Sequence, residues 1–183
     1  MTTNNNIKKV LIVGGGTAGW MAAAAISKFV SAEACEIQLV ESEKYPTVGV
    51  GEATIPQIVV FNKTLGLDEN EFIKKTQGTF KLGIEFVNWG KIGDRYIHAF
   101  GDVGRNMHSL PFHQLWWKQF KQGKAEDLGA YALNSVASYQ GKFMRPVNAG
   151  DSPLSSISYA FQFDAGLYAA FLRERAEAQG VKR

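Results

Sequence analysis

The residues able to do chemistry begin with three glycines. Gly14, Gly16 and Gly19 stand in G-x-G-x-x-G spacing inside Val10-Leu-Ile-Val-Gly-Gly-Gly-Thr-Ala-Gly-Trp20. The first permits a tight turn, the second lets the backbone approach a pyrophosphate, and the third lets a helix pack close to a strand. Free N–H groups at the start of that helix would point at the phosphates. Glu41 lies 22 residues past Gly19. A carboxylate there can accept hydrogen bonds from a ribose 2′-OH. A second stretch, Gly49-Val-Gly-Glu-Ala-Thr-Ile-Pro56, brings two more glycines and an acid, Glu52, close to the same strand end. It reads as a strap over a cofactor, against the plainer reading of a loop that caps a helix. Lys81 has Gly83 two residues on, which leaves space beside it on a strand. By spacing alone it reads as a solvated lysine. His98 sits between Tyr96 and Phe100 and reads as a core histidine, because no second ligand stands at metal spacing.

The elements that must position these groups follow from periodicity. Val10–Val13 is a short apolar run that predicts a buried strand, followed by a helix over 17–30 and a second strand over 36–40. Together they form a βαβ unit whose crossover is right-handed and whose strands are parallel. Thr54 stands as N-cap of a helix to about Leu65, with Gln57 completing a capping box. Asp68 caps a second helix to about Thr76, ended by Gly78. Residues 79–89 alternate, with Phe80, Leu82, Ile84 and Phe86 on one fully packed face, and 95–100 forms another short strand. Ser109 to Gly123 predicts a helix with a buried stripe of Phe112, Leu115, Trp116, Gln119 and Phe120. A helical stretch over 125–145 and a loop over 146–158 follow. Asp164 caps a last helix whose arginines and glutamates face outward. Val181-Lys-Arg183 begins a further strand, so the chain is expected to be the front part of a longer protein.

Bulk properties narrow the class. The chain of 183 residues is 45% hydrophobic and carries a net charge of +3, without any Lys/Arg run longer than two. That excludes disorder and gives no reason to expect a nucleic-acid partner. The lone Cys35 rules out an intramolecular disulfide framework, and it reads as a packing residue. No stretch approaches the roughly 20 apolar residues that span a bilayer. A cytoplasmic protein without a membrane segment or a metal is the expectation.

Several stretches, taken in order, resemble one family. Gly14-Gly-Gly-Thr-Ala-Gly-Trp20, Gly49-Val-Gly-Glu-Ala-Thr-Ile-Pro56, Phe80-Lys81, Phe86-Val-Asn-Trp89 and Phe163-Asp-Ala165 are similar to the N-terminal, FAD-binding portion of flavin-dependent tryptophan halogenases. The likeness runs along essentially the whole chain. It implies an α/β fold: a Rossmann-like FAD-binding module of the glutathione-reductase type with added β-sheet and helices, incomplete in this chain. The implied organisation is a βαβ dinucleotide unit over 7–45, a flavin strap over 46–56, the start of a substrate-side module over about 79–158, and a returning helix over 164–179.

The same likeness implies the reaction. Reduced FAD, O₂ and a halide (chloride or bromide) give hypohalous acid. A tunnel carries that acid to an essential lysine beside a small aromatic substrate such as tryptophan or indole, and a separate flavin reductase supplies FADH₂. Carried over residue by residue, Gly14, Gly15, Gly16, Thr17, Ala18 and Gly19 hold the FAD phosphates. Glu41 and Ser42 hold the adenosine ribose. Tyr45 and Gly51-Glu52-Ala53 lie along the flavin. Lys81 matches the essential lysine, acting as an ammonium that hydrogen-bonds hypohalous acid or as an amine that carries a haloamine. Ile55, Pro56, His98 and Phe100 resemble the near wall of the substrate pocket. The family's W-x-W-x-I-P motif and catalytic glutamate belong beyond residue 183, and homodimerisation is left open. Two alternatives stand beside this reading: a flavin-dependent monooxygenase that uses no halide, and a truncated, non-catalytic FAD-binding module.

Overall fold

A computed structural model describes residues 6–44 and 49–183. The chain divides into two units, residues 1–79 with 161–183, and residues 80–160.

The first unit opens with β1 (Lys9–Val13), α1 (Thr17–Phe29) and β2 (Glu36–Val40). β1 and β2 pair in parallel, Lys9 opposite Glu36 through Val13 opposite Val40. Lys182 forms a parallel bridge to Gln38, and its N–H donates to the Ile37 carbonyl at 3.0 Å. The strand expected at Val181 therefore begins beside β2. β1 itself is not buried: Leu11 and Val13 are 56% and 80% exposed. α1 packs against β1 and β2 from one side. The alternation of a pleated strand sends Leu11 and Val13 to the other side, which no described residue covers.

Next come β3 (Gly51–Ala53), α2 (Gln57–Leu65) and α3 (Glu69–Thr76). Thr54 does not cap α2. Its N–H donates to the Phe161 carbonyl at 3.0 Å, and its hydroxyl donates to the same carbonyl at 2.8 Å. The pull of a strand partner extends the backbone through Thr54, so α2 starts after Pro56. Asp68 does cap α3, accepting from the Glu71 N–H at 2.8 Å. The left-handed residue that ends α3 is Gln77, at φ 53°, one position before the expected Gly78.

The core of this unit is aromatic. Phe72 of α3 meets Phe161, Phe163 and Tyr168 edge-on at ring distances of 4.9 to 5.4 Å. Each such burial contributes roughly 1.5–3 kcal/mol. The Tyr168 hydroxyl donates to Asn62 Oδ1 at 2.7 Å, and burial pushes its pKa well up.

In the second unit, a single strand over 79–89 is replaced by two. β4 (Thr79–Lys81), whose first residue belongs to the first unit, breaks at Leu82 before β5 (Gly83–Val87). β5 pairs antiparallel with β6 (Arg95–Ala99), Gly83 opposite Ala99 and Val87 opposite Arg95. Leu82 is buried but Ile84 is 37% exposed, so the expected packed face ends at the break. Nor does Gly83 leave a gap: a Cβ there would stand 2.6 Å from the His98 carbonyl oxygen. The glycine is needed because β6 comes that close.

α4 (Phe112–Phe120) is capped by Asn106, whose Oδ1 accepts from the Phe112 N–H at 2.9 Å, and not by Ser109. None of its residues is buried. Its rings stack on one another instead, Trp116 on Phe120 at 4.9 Å. The helical stretch expected over 125–145 is shorter, a 3-10 turn (Leu128–Tyr131) and α5 (Leu133–Tyr139).

β7 (Ala160–Asp164) and α6 (Ala165–Ala178) return to the first unit. Asp164 caps α6, accepting from the Leu167 N–H at 2.8 Å, and Gly180 follows at φ 95°. β3 pairs antiparallel with β7, Gly51 opposite Asp164 and Ala53 opposite Gln162. α6 lies against α1, where the buried Ala23 and Ala24 permit close approach.

Candidate functional site

The glycine turn joins β1 to α1, and each of its glycines has its own reason. Gly14 sits at φ 115°, which side chains rarely adopt, and its N–H donates to the Val40 carbonyl at 2.8 Å. A Cβ at Gly19 would collide with the Gly14 carbonyl, so close helix–strand approach requires its absence. A Cβ at Gly16 would meet nothing within 4 Å. Gly16 is the N-cap of α1 and offers no side-chain hydrogen bond. The first turn of α1 therefore points N–H groups outward, a geometry that receives an anion.

Glu41 follows the last residue of β2 and bends back over this turn. A Cβ on Gly15 would coincide with its carboxylate. Its side chain is only 15% exposed and pairs with Arg183 Nε at 2.5 Å and Arg173 Nη1 at 3.6 Å. Ser42 is exposed, and its hydroxyl accepts from the Lys44 N–H at 3.2 Å.

The strap residues Gly51, Glu52 and Ala53 form β3, and all three are exposed. β7 brings them to the turn. The Ala165 N–H donates to the Val50 carbonyl at 3.1 Å, while the Thr17 hydroxyl donates to the Ala165 carbonyl at 3.2 Å. The glycine turn, Glu41 and the strap thus converge in the first unit around the start of α6. Tyr45 lies outside the described residues. Ile55 is 52% exposed and Pro56 precedes α2, both also in the first unit.

Lys81, His98 and Phe100 belong to the second unit. Lys81 is half-buried, with its Nζ 5.4 Å from the centroid of the Phe100 ring. Desolvation lowers its pKa below the ordinary lysine value. His98 is exposed on β6.

A residue that sequence reasoning missed, Asn134, fixes the backbone beside both Lys81 and Phe100. Buried at the start of α5, its Nδ2 donates to the Phe100 carbonyl at 2.7 Å and the Ser158 carbonyl at 2.6 Å, with a weaker reach of 3.4 Å to the Leu82 carbonyl. The Phe100 N–H also donates to the Leu82 carbonyl at 2.8 Å. Its partners lie 24 to 52 residues away, so no local pattern marks it. Asn134→Ala leaves buried carbonyls without a donor and is expected to destabilise the chain by about 1–3 kcal/mol, measured by urea unfolding.

Among the described residues no cluster of His, Cys, Asp and Glu could hold a metal ion. No helix among them is long and apolar enough to cross a membrane.

Residues 9–183 match the family model described as "Tryptophan halogenase". Tryptophan 7-halogenase RebH of Lentzea aerocolonigenes is 34% identical over 98% of this chain and 36% of its own length. Among solved structures, the flavin-dependent halogenase Xcc4156 from Xanthomonas campestris superposes with a TM-score of 0.90 at 46% identity, covering 98% of this chain and 35% of that one. The flavin-dependent halogenase BrvH from Brevundimonas sp. BAL3 gives 0.89 at 43% identity, over 97% and 35%. The chain spans about a third of the length of these proteins.

Proposed function

Because this chain belongs to the tryptophan halogenase family, we propose that it forms the cofactor-binding part and the lysine-bearing part of a flavin-dependent halogenase. The observation that carries this reading is the pairing, in one chain, of an open glycine turn with a partly desolvated Lys81 over Phe100. On this reading residues 7–45 hold the dinucleotide and 46–56 form the strap. Residues 79–158 begin the substrate side, and the helix over 164–179 returns to the cofactor side.

The first unit's residues fit FAD. The room above Gly16 admits a pyrophosphate, and the outward N–H groups of α1 receive its charge. The carboxylate of Glu41 accepts the ribose hydroxyls, with Ser42 beside it. Gly51, Glu52 and Ala53 would lie along the flavin. When bound and reduced, FAD would give two electrons to O₂, which would take two more from chloride or bromide, so that oxidised flavin, water and hypohalous acid result.

Lys81 then receives the hypohalous acid. As an ammonium it donates a hydrogen bond to the oxygen, which draws electron density from the halogen and raises its electrophilicity. Its aromatic neighbour Phe100, with His98 of the same unit, offers a wall for an electron-rich arene such as tryptophan or indole. A separate flavin reductase supplies FADH₂.

The test uses the full-length protein with FADH₂, O₂, bromide and indole. Bromoindole, absent when bromide is omitted, is the expected product. Oxygenated indole in halide-free buffer, with no bromoindole in its presence, overturns the proposal in favour of a monooxygenase.

A further inference from the structure

Arg173 lies on α6, far in sequence from the glycine turn, yet it touches the turn from two sides. Its guanidinium carbon stands 5.7 Å from the Trp20 ring centroid, and Trp20 directly follows Gly19 and is buried. Its Nη1 lies 3.6 Å from Glu41 Oε1, while its Nε donates to Glu177 Oε1 at 2.7 Å. The stack on Trp20 and the bond to Glu177 fix the plane of the guanidinium. One edge of that plane is left facing Glu41.

Beside this arrangement lies a cavity of about 500 Å³ lined by Leu39, Val40, Glu41, Glu43, Arg173 and Arg183. It opens at the end of β2, where ligands bind in sheets of this kind. Glu41 is mostly shielded from solvent and faces the guanidinium groups of both Arg173 and Arg183. Arg183 Nε, at 2.5 Å, and Arg173 both approach Oε1, and a carboxylate offers acceptor sites on two oxygens, so lone pairs remain on Oε2 for a diol.

We propose that Arg173 is a positioning residue for Glu41: it holds the carboxylate over the glycine turn with its free lone pairs toward the adenosine ribose, and so sets the preference for a dinucleotide over a mononucleotide flavin. The proposal rests on the reading that this turn binds FAD. A planar, permanently charged fork held by a ring and a second carboxylate loses little freedom in this task. A lysine could supply the charge but not the stack or the fixed plane.

The test measures binding of oxidised FAD, oxidised FMN and an FAD analogue lacking the adenosine 2′-hydroxyl by flavin fluorescence. The proteins are the full-length wild type, Arg173→Met, Arg173→Lys, Glu41→Gln and the Arg173→Met/Glu41→Gln double variant. Methionine keeps the aliphatic packing on Trp20, and melting of the ligand-free protein checks the fold. Arg173→Met is expected to raise the FAD Kd roughly tenfold and to leave FMN unchanged. It should also erase the discrimination against the 2′-deoxy analogue. Arg173→Lys falls between, and in the Glu41→Gln background Arg173→Met adds nothing.

Equal weakening of FAD and FMN, or a full effect without Glu41, makes Arg173 merely structural and overturns the proposal. So does wild-type FAD affinity in Arg173→Met. Failure of the wild type to bind FAD removes the FAD reading, and this proposal with it.

Discussion

Lys81→Ala is expected to lower the halogenation rate of the full-length enzyme by about 10²–10⁴-fold, while FAD binding and melting temperature hold. The side chain is half-buried over Phe100, so its loss removes a donor without opening a core cavity. FAD affinity holds because the glycine turn and Glu41 belong to the other unit. The pH dependence separates the two roles open to the lysine. Burial lowers its pKa, so the ammonium is lost at a lower pH than for an ordinary lysine. If the ammonium activates hypohalous acid, the rate falls as pH rises through that lowered pKa. If a neutral amine carries the halogen, the rate rises through it. Our reading expects the fall, and expects Lys81→Arg to retain part of the rate, since arginine stays charged and can still donate. Wild-type product formation by Lys81→Ala would overturn the assignment.

Two glycines of the turn should separate folding from cofactor binding. Gly19→Ala places a methyl on the Gly14 carbonyl, which is backbone and cannot rotate away. Helix and strand must then move apart, at a cost of about 1–3 kcal/mol. For a chain of this size, each kcal/mol lowers the melting temperature by about 2–4 °C. Gly16→Ala meets nothing within 4 Å, and its φ of −72° suits alanine, so the melting temperature should not change. The added methyl would stand in the room that the pyrophosphate enters. FAD affinity is expected to fall by roughly two orders of magnitude, about 3 kcal/mol. Isothermal titration with FAD and a thermal melt on both variants check this. Full FAD binding by Gly16→Ala would move the phosphates away from the turn.

The sequence by itself determined the elements whose signals are local. The glycine spacing, the βαβ order, the Asp68 and Asp164 caps and the Gly180 stop were all legible, because each depends on residues within a turn or two of one another. Glu41 was legible as the acid at the end of β2, while the role proposed for Lys81 comes from its likeness to a family lysine and from no local pattern.

Tertiary structure decided what depends on distant partners. Thr54 left its helix because Phe161, 107 residues away, gave its backbone and hydroxyl a strand partner. The space inferred beside Lys81 at Gly83 was filled by β6, which no pattern in β5 could announce. Asn134 took the role of a backbone clamp because three carbonyls from separate segments met at its amide. Arg173 looked like an outward helix charge until folding set it on Trp20 and beside Glu41. Hydrophobic period and caps fix where an element starts and which face is apolar. The partner that a polar side chain finds is fixed only when the chain returns on itself.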